Sequence, residues 1–160
     1  MSFESFVHRA KDKLYRFSLS ITCDSAEAQD VVQEVLIKFW NMRSEIQNSE
    51  AWCITLTRNL SLDKLRSKHR KVQEIEEAIY LKDTAASPYE HTVSNDTISQ
   101  IRKWMEDLPE KQRSVMHLRD IEEMTYEEIS SALNMPMEQV KVNLHRARTA
   151  IRTRILEFGV

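Results

Sequence analysis

A chain of 160 residues is long enough for one ordinary domain or two small ones. One Gly and three Pro are too few for a sheet with many tight turns, and they favour helices joined by short polar breaks. The formal net charge of −2 excludes a uniformly basic surface, so the distribution of charge matters more than its sum. The composition predicts an all-α protein.

Cysteine usage and the N-terminus exclude further classes. Cys23 and Cys53 have no second Cys or His at metal-ligand spacing, so we expect reduced, packed thiols, with neither a metal site nor a disulfide framework. The N-terminus lacks the basic start and apolar core of a signal peptide, and no apolar run approaches the roughly 20 residues that cross a membrane. We expect a cytoplasmic protein that needs no cofactor.

Two amphipathic helices are predicted first along the chain. Apolar residues such as Phe6 and Phe17 recur at helical spacing, and this first helix is expected to end near Thr22. Asp24 and Glu27 have the spacing of a capping box, which predicts the start of a second helix.

The second helix has two different faces. Its apolar side includes Val31, Val35 and Phe39 and is predicted to be core. The members of its other side are Asp30, Gln33, Glu34, Ile37 and Asn41. Periodicity alone leaves a solvated surface and a protein-binding surface equally open, although an apolar residue ringed by polar ones favours a protein contact.

A third helix and a linker follow. After a polar loop over residues 41–48, Ser49 is expected to cap a helix that runs into a basic segment. The basic residues are Arg58, Lys64, Arg66, Lys68, Arg70 and Lys71. Periodicity then weakens, and the acidic stretch with Thr84–Pro88 indicates a linker. The expected organisation is a helical domain over 1–72, a linker over 73–96 and a second helical domain over 97–160.

The second domain ends in the pattern of a helix-turn-helix. Thr125 and Glu128 predict a capping box for a short helix, and Asn134 is expected to adopt the left-handed conformation at the turn. The last helix has a narrow apolar stripe, and nearly opposite to it lie Lys141, Val142, His145 and Arg146.

These outward residues suit a helix that enters the DNA major groove. Lys and Arg bond base edges or phosphates, and Val142 is suited to contact a thymine methyl. Arg148 lies to the flank and is expected to hold a phosphate. A surface helix with ordinary solvated charges is the alternative.

A set of short motifs in one order resembles the extracytoplasmic-function sigma factors, the smallest specificity subunits of bacterial RNA polymerase. The motifs are Leu14–Phe17, Ala28–Val35, Phe39–Trp40, Ala51–Trp52, Thr57–Leu60, Asp63–Arg66, Leu108–Glu110, Leu118–Arg119, Tyr126–Ile129, Val140–Lys141 and Leu144–Arg148. The resemblance covers nearly the whole chain. It implies sigma region two up to about residue 72 and region four from about residue 97, without an intervening region three.

The resemblance also implies roles for individual residues. Asp30, Gln33 and Glu34 would bind core polymerase at the beta-prime clamp helices, and Ile37, the apolar residue on the same face, is expected to join that contact. The residues that would capture the minus-ten element are Asn41, Arg58, Asn59, Asp63 and Arg66, although Asn59 and Asp63 are equally compatible with buried structural roles. Those that would read the minus-thirty-five element are Lys141, Val142, His145 and Arg146, and Arg148 is expected to join this contact from its place on the flank of the helix. The beta flap and an anti-sigma factor are further expected partners.

The chain departs from the family pattern at some positions. Glu123 and Asn134 stand where Gly is frequent, Asn143 replaces a frequent Arg, and Pro136 and Met137 enter the last helix without a hydroxyl cap. These differences concern promoter preference more than fold.

The expected function is promoter-directed initiation by polymerase, without an active site in this chain. A stand-alone helix-turn-helix regulator is the alternative, and it would bind duplex DNA tightly without polymerase. An adaptor that binds only protein is a further alternative, for which Lys141 and Arg146 would be dispensable.

Overall fold

The computed structural model describes residues 2–78 and 97–158. These residues form helices and short connections, and no strand occurs among them. The helices are α1 Phe3–Thr22, α2 Ser25–Met42, α3 Ser49–Ala78, α4 Thr97–Met105, α5 Glu110–Met116, α6 Tyr126–Leu133 and α7 Met137–Phe158. A π-helical turn, His117–Ile121, continues α5. The all-α prediction is confirmed.

The boundary between α1 and α2 follows local chemistry. Cys23 ends α1 in the left-handed conformation, with φ of 53°, and its N–H donates to the Leu19 carbonyl. The Asp24 side chain then accepts a hydrogen bond of 3.1 Å from the Glu27 backbone N–H, which caps α2. The predicted end of α1 and the predicted Asp24 cap are confirmed.

The end of α2 and the cap of α3 differ from the prediction, and α3 extends into the predicted linker. Helix α2 continues through Met42, so Asn41 is helical and the loop is shorter than expected. The Asn48 side chain, not that of Ser49, accepts from the N–H of Ala51 at 3.1 Å and caps α3. Helix α3 continues through Ala78, six residues beyond 72. The predicted linker segment Thr84–Pro88 lies outside the described residues.

The helix-turn-helix forms as its sequence predicts. The Thr125 hydroxyl accepts from the Glu128 N–H at 3.1 Å, and the Glu128 carboxylate accepts from the Thr125 N–H at 2.8 Å. Asn134 has φ of 50° and ends α6. Glu123 also has a positive φ, of 58°. Both positions where the family often has Gly therefore have the backbone conformation that Gly adopts most easily.

The N-terminal and C-terminal helices pack against each other. Fully buried residues of α1 to α3 include Phe17, Val31 and Ile54, and those of the second set include Leu118 and Val140. Helix α1 contacts α5 and its π-helical turn, and α3 contacts α6. The buried apolar residues form one continuous cluster, so the two sets share a core. In this arrangement the candidate surfaces lie on one packed body.

Replacement of Thr125 by Ala should lower the free energy of unfolding by about 1 kcal/mol, because one N-terminal N–H of α6 loses its acceptor. Thr125→Ser retains the hydroxyl and should preserve most of the stability. Urea denaturation followed by circular dichroism measures both changes. Equal stability of the Ala and Ser variants would contradict a capping role for Thr125.

Candidate functional site

The outward face of α2 is accessible along its length. Asp30, Gln33, Glu34 and Ile37 are all exposed, and the Ile37 side chain is 62% exposed. The Asp30 carboxylate lies 3.9 Å from the Lys64 ammonium, and that of Glu34 lies 3.4 Å from Lys38, so both carboxylates have only loose ion pairs. The face combines an apolar centre with unburied acidic and amide groups.

An aromatic cluster to which the sequence analysis assigned no role lies at the end of α2. The Trp40 ring is 46% exposed, and the Phe3 ring meets it edge-on with centroids 4.7 Å apart. The Arg43 guanidinium lies 3.6 Å from the centroid of the Trp40 ring. A half-exposed indole with a stacked cation offers a flat, cationic surface beside the loop. Its sequence signal was the Phe39–Trp40 motif, to which no role was assigned.

The predicted minus-ten residues on α3 divide into two groups. Asn59, Asp63 and Arg66 are exposed, so the buried alternative for Asn59 and Asp63 is wrong. Arg66 donates to the Asp63 carboxylate at 3.3 Å on this exposed surface. Asn41 is also exposed, near the end of α2. These four side chains are accessible to a ligand.

Arg58 is the exception, because it is bound to α5. Its Nε and Nη2 atoms donate to the Glu110 carboxylate at 2.6 and 2.7 Å, and its side chain is only 17% exposed. Ser114 donates to the same carboxylate at 2.9 Å. Burial alone would raise the pKa of Glu110, but the hydrogen bonds and charge of Arg58 outweigh it and lower that pKa. The structure therefore does not present Arg58 to DNA.

A second ion-pair cluster, also missed from the sequence, joins α1 to the π-helical turn. Arg16 donates through Nε and Nη2 to Glu122 at 2.9 and 2.7 Å. The His117 Nε2 atom lies 3.0 Å from the same carboxylate, whose side chain is 2% exposed. Burial would raise the pKa of Glu122, but the hydrogen bonds from Arg16 and His117 outweigh burial and lower the pKa to about 2.

Helix α7 presents the predicted recognition surface. Lys141, Val142, His145 and Arg146 are exposed. The opposite stripe, Val140, Leu144, Ala147 and Ile151, is buried. The structure thus brings the four predicted side chains together on one accessible helix face, as readout of the major groove requires.

Three side chains on or beside this surface have contacts within the protein. The Lys141 ammonium lies 5.7 Å from the centre of the Tyr126 ring, within range of a cation–π interaction. Arg148 is exposed but donates through Nε to Asp120 at 3.1 Å, and its Nη2 atom donates to the same carboxylate. Asn143 donates to the Gln139 carbonyl at 2.8 Å, so its amide bonds the helix backbone.

The described residues contain no metal site, no paired cysteines and no membrane-spanning helix. Residues 2–78 and 97–158 contain no group of His, Cys, Asp and Glu suited to a metal ion. Both cysteines are free, and Cys53 is buried as expected, but Cys23 is exposed, so the packed-thiol prediction is wrong there because α1 ends at that residue. No helix in this part of the chain is both long and apolar enough to span a bilayer.

Comparison with known proteins decides the family. Residues 6–71 match the family model described as Sigma-70 region 2, and residues 98–151 match Sigma-70, region 4. The RNA polymerase sigma-E factor of Streptomyces avermitilis is 30% identical over 155 residues, which cover 95% of this chain and 84% of that protein. This chain belongs to the extracytoplasmic-function sigma factors.

Further relatives agree with this assignment. The ECF sigma factor SigW of Bacillus subtilis is 29% identical over 98% of this sigma factor and 90% of its own length. SigE of Mycolicibacterium smegmatis is 27% identical over 94% of the chain, which spans only 60% of that relative's length.

Solved structures show the same fold at lower sequence identity. The sigma factor RpoE of Bartonella quintana, solved in complex with the anti-sigma factor NepR, has a TM-score of 0.74 at 22% identity, with 94% of each chain covered. CnrH, solved in complex with the cytosolic domain of CnrY, has a TM-score of 0.71 at 18% identity and covers 96% of this chain and 86% of its own. The paired helical sets therefore form a known sigma-factor fold.

Substitution of Glu122 by Gln should reduce the dependence of stability on pH. Because the folded-state pKa of Glu122 lies at about 2, below its ordinary value of 4.5, its contribution is full above pH 4.5 and is lost as pH falls towards 2. Glu122→Gln should lower the free energy of unfolding by roughly 3 kcal/mol at pH 7 and by much less near pH 2.

Urea denaturation between pH 7 and pH 2 measures this difference. Glu123→Gln is the matched control, because its side chain belongs to the next residue and is exposed. A constant difference between Glu122→Gln and the parent chain across this range would show that the Glu122 carboxylate does not provide the linkage.

Proposed function

We propose that this sigma factor binds core RNA polymerase, recognises the minus-ten and minus-thirty-five promoter elements, and directs initiation without a catalytic group of its own. The observation that carries the proposal is the presence of two accessible faces of opposite character on one shared core. One is the acidic and apolar face of α2, and the other is the basic face of α7. The first suits a protein partner, and the second suits DNA.

The α2 face is the proposed contact with the beta-prime clamp helices. Ile37 supplies an apolar centre, and Asp30, Gln33 and Glu34 supply polar groups along the same face. A buried apolar anchor surrounded by polar contacts is the usual arrangement of an energetically important patch in a protein interface. The two carboxylates lack tight internal partners, so little internal pairing must be broken before they bind a basic partner.

The end of α2 and the exposed side of α3 form the proposed minus-ten surface. Asn41 and Asn59 offer amide groups for reading a base edge, and Arg66 offers a charge for the strand backbone. Arg58 fits this surface only after its pair with Glu110 is broken. Asp63 is better suited to orienting Arg66, whose guanidinium it binds, than to contact with a phosphate.

The α7 face is the proposed minus-thirty-five contact. Lys141, His145 and Arg146 donate hydrogen bonds to base edges or phosphates, and Val142 is 46% exposed and suited to an apolar base contact. Arg148 serves as a phosphate contact once it exchanges Asp120 for the DNA backbone. Each surface alone is small, so joint binding of two elements through one polymerase-bound protein provides the affinity.

Two further partners are proposed. The end of α7 and the start of α4 expose Leu156, Phe158 and Ile98, with 77%, 64% and 59% of each side chain accessible. This apolar area is the proposed contact with the beta flap. An anti-sigma factor is the second proposed partner, because the similarly folded RpoE of Bartonella quintana was solved in complex with one.

The decisive experiment is transcription from sheared genomic DNA by bacterial core polymerase, with and without this protein, with RNA starts mapped by sequencing. New, discrete starts that share two spaced upstream elements are expected. Arg146→Ala should reduce those starts roughly tenfold or more by loss of base or phosphate contacts, with core association unchanged. Lys11→Ala, at an exposed site on α1, is the control.

The alternative functions give different results in the same experiment. A stand-alone helix-turn-helix regulator would bind duplex DNA tightly without polymerase and would produce no new starts. An adaptor that binds only protein would tolerate Arg146→Ala and Lys141→Ala without any change in its activity. Either result would overturn the proposal.

Charge reversal on α2 tests the polymerase contact separately. Asp30→Lys combined with Glu34→Lys should weaken association with core polymerase on the order of a hundredfold, because two carboxylates at the interface become like charges. Asp12→Lys with Glu127→Lys makes the same change in net charge at exposed positions elsewhere. Affinity is measured by fluorescence anisotropy, and circular dichroism checks the fold. Equal effects of the two pairs would reject the α2 contact.

A further inference from the structure

A cavity of about 180 Å³ lies where the two helical sets meet. Arg16 and Leu19 of α1 form one side, and Arg102 and Met105 of α4 form another. Arg113 of α5 and the π-helical turn complete the lining. The cavity therefore spans region two and region four, and no contact proposed above involves it.

The cavity has an excess of positive charge. Its lining includes three guanidinium groups and one carboxylate, that of Glu106. The charge of Arg16 is already matched by Glu122. Arg102 and Arg113 together thus outweigh the remaining carboxylate.

Arg113 has an unused donor. The residue is only 9% exposed, and its Nη1 atom donates to the Glu106 carbonyl at 3.1 Å. Among the described residues, the buried Nε atom has no hydrogen-bond acceptor. A buried donor on a charged group is costly to leave unpaired, so a ligand oxygen beside Arg113 would relieve that cost.

Most of the remaining lining is apolar, apart from Ser20 and His117. Leu19, Met105 and Ile121 contribute aliphatic and thioether groups. A dry apolar cavity of about 150 Å³ in another protein accommodates benzene, so a cavity of 180 Å³ has room for one aromatic ring. The lining therefore selects for both an anionic group and a compact apolar body.

We propose that this cavity binds a small organic anion, in which an apolar body of about one aromatic ring carries one carboxylate. The carboxylate lies beside Arg102 and Arg113, and the ring lies against Leu19, Met105 and Ile121. Because the lining comes from both regions, bound ligand stabilises the packing of α1 against α4 and α5.

The first test titrates the full chain with benzoate and follows backbone amide shifts by heteronuclear NMR. A ligand of this size is expected to bind with a dissociation constant on the order of 1 mM, with the largest shifts around the cavity. Benzamide has the same shape without the charge and should bind at least tenfold more weakly. No saturable shifts with benzoate, or equal affinities for the two compounds, would overturn the proposal.

Variants of neighbouring residues on α4 locate the charge. Arg102→Gln should weaken benzoate binding roughly tenfold, because a charge-assisted hydrogen bond is lost. Lys103→Gln removes the same charge at the next, equally exposed position outside the cavity lining and should leave the affinity unchanged. Equal affinities of the two variants would place the anion elsewhere. Leu19→Phe, which fills the cavity, should abolish the benzoate shifts even where its own fold is intact.

Discussion

The arrangement of the two regions depends on the ion pair between Arg16 and the buried carboxylate of Glu122. This carboxylate receives a bidentate hydrogen bond from Arg16, 106 residues earlier in the chain, and a further contact from His117 on its own element. An unpaired carboxylate with 2% of its side chain exposed would be strongly destabilising, so Arg16 must remain in place while Glu122 is buried. Any separation of α1 from the π-helical turn must therefore hydrate Glu122.

The second interregional pair, Arg58 with Glu110, works differently, because Arg58 also belongs to the proposed minus-ten surface. Glu110 accepts both hydrogen bonds that Arg58 would otherwise offer to a phosphate, and Asp120 does the same for Arg148. Each proposed DNA surface thus has one arginine that is paired with an acidic residue of region four. The net charge of −2 also weakens the attraction of the free protein to DNA, because a molecule with this charge has no strong general attraction to a polyanion.

Sequence reasoning was accurate where the determining interactions are local. The capping box of Thr125 and Glu128 spans three residues, and the left-handed Asn134 follows from a single position, so both could be predicted from spacing. The outward set on α7 followed from helical periodicity alone. Arg16 with Glu122 and Arg58 with Glu110 could not be predicted, because each pair joins residues distant in sequence whose charges resemble ordinary surface charges. Because the sequence does not show how α3 packs, it also left the exposure of Asn59 and Asp63 undecided.

Under the proposed function, these features make the minus-ten contact of this protein depend on its partner. The α2 face needs no rearrangement before it binds, because its carboxylates are loosely paired and Ile37 is already exposed. The proposed minus-ten surface does need one, since Arg58 must leave Glu110 before it is free. Consider a partner that binds the α2 face and has a higher affinity for the arrangement in which region four has moved away from region two. Its binding favours that arrangement, in which Arg58 is free of Glu110. The ratio of its affinities for the packed and the separated arrangements sets the size of the shift. Under the proposed function, polymerase would then supply both the location of this sigma factor and the free energy that exposes Arg58.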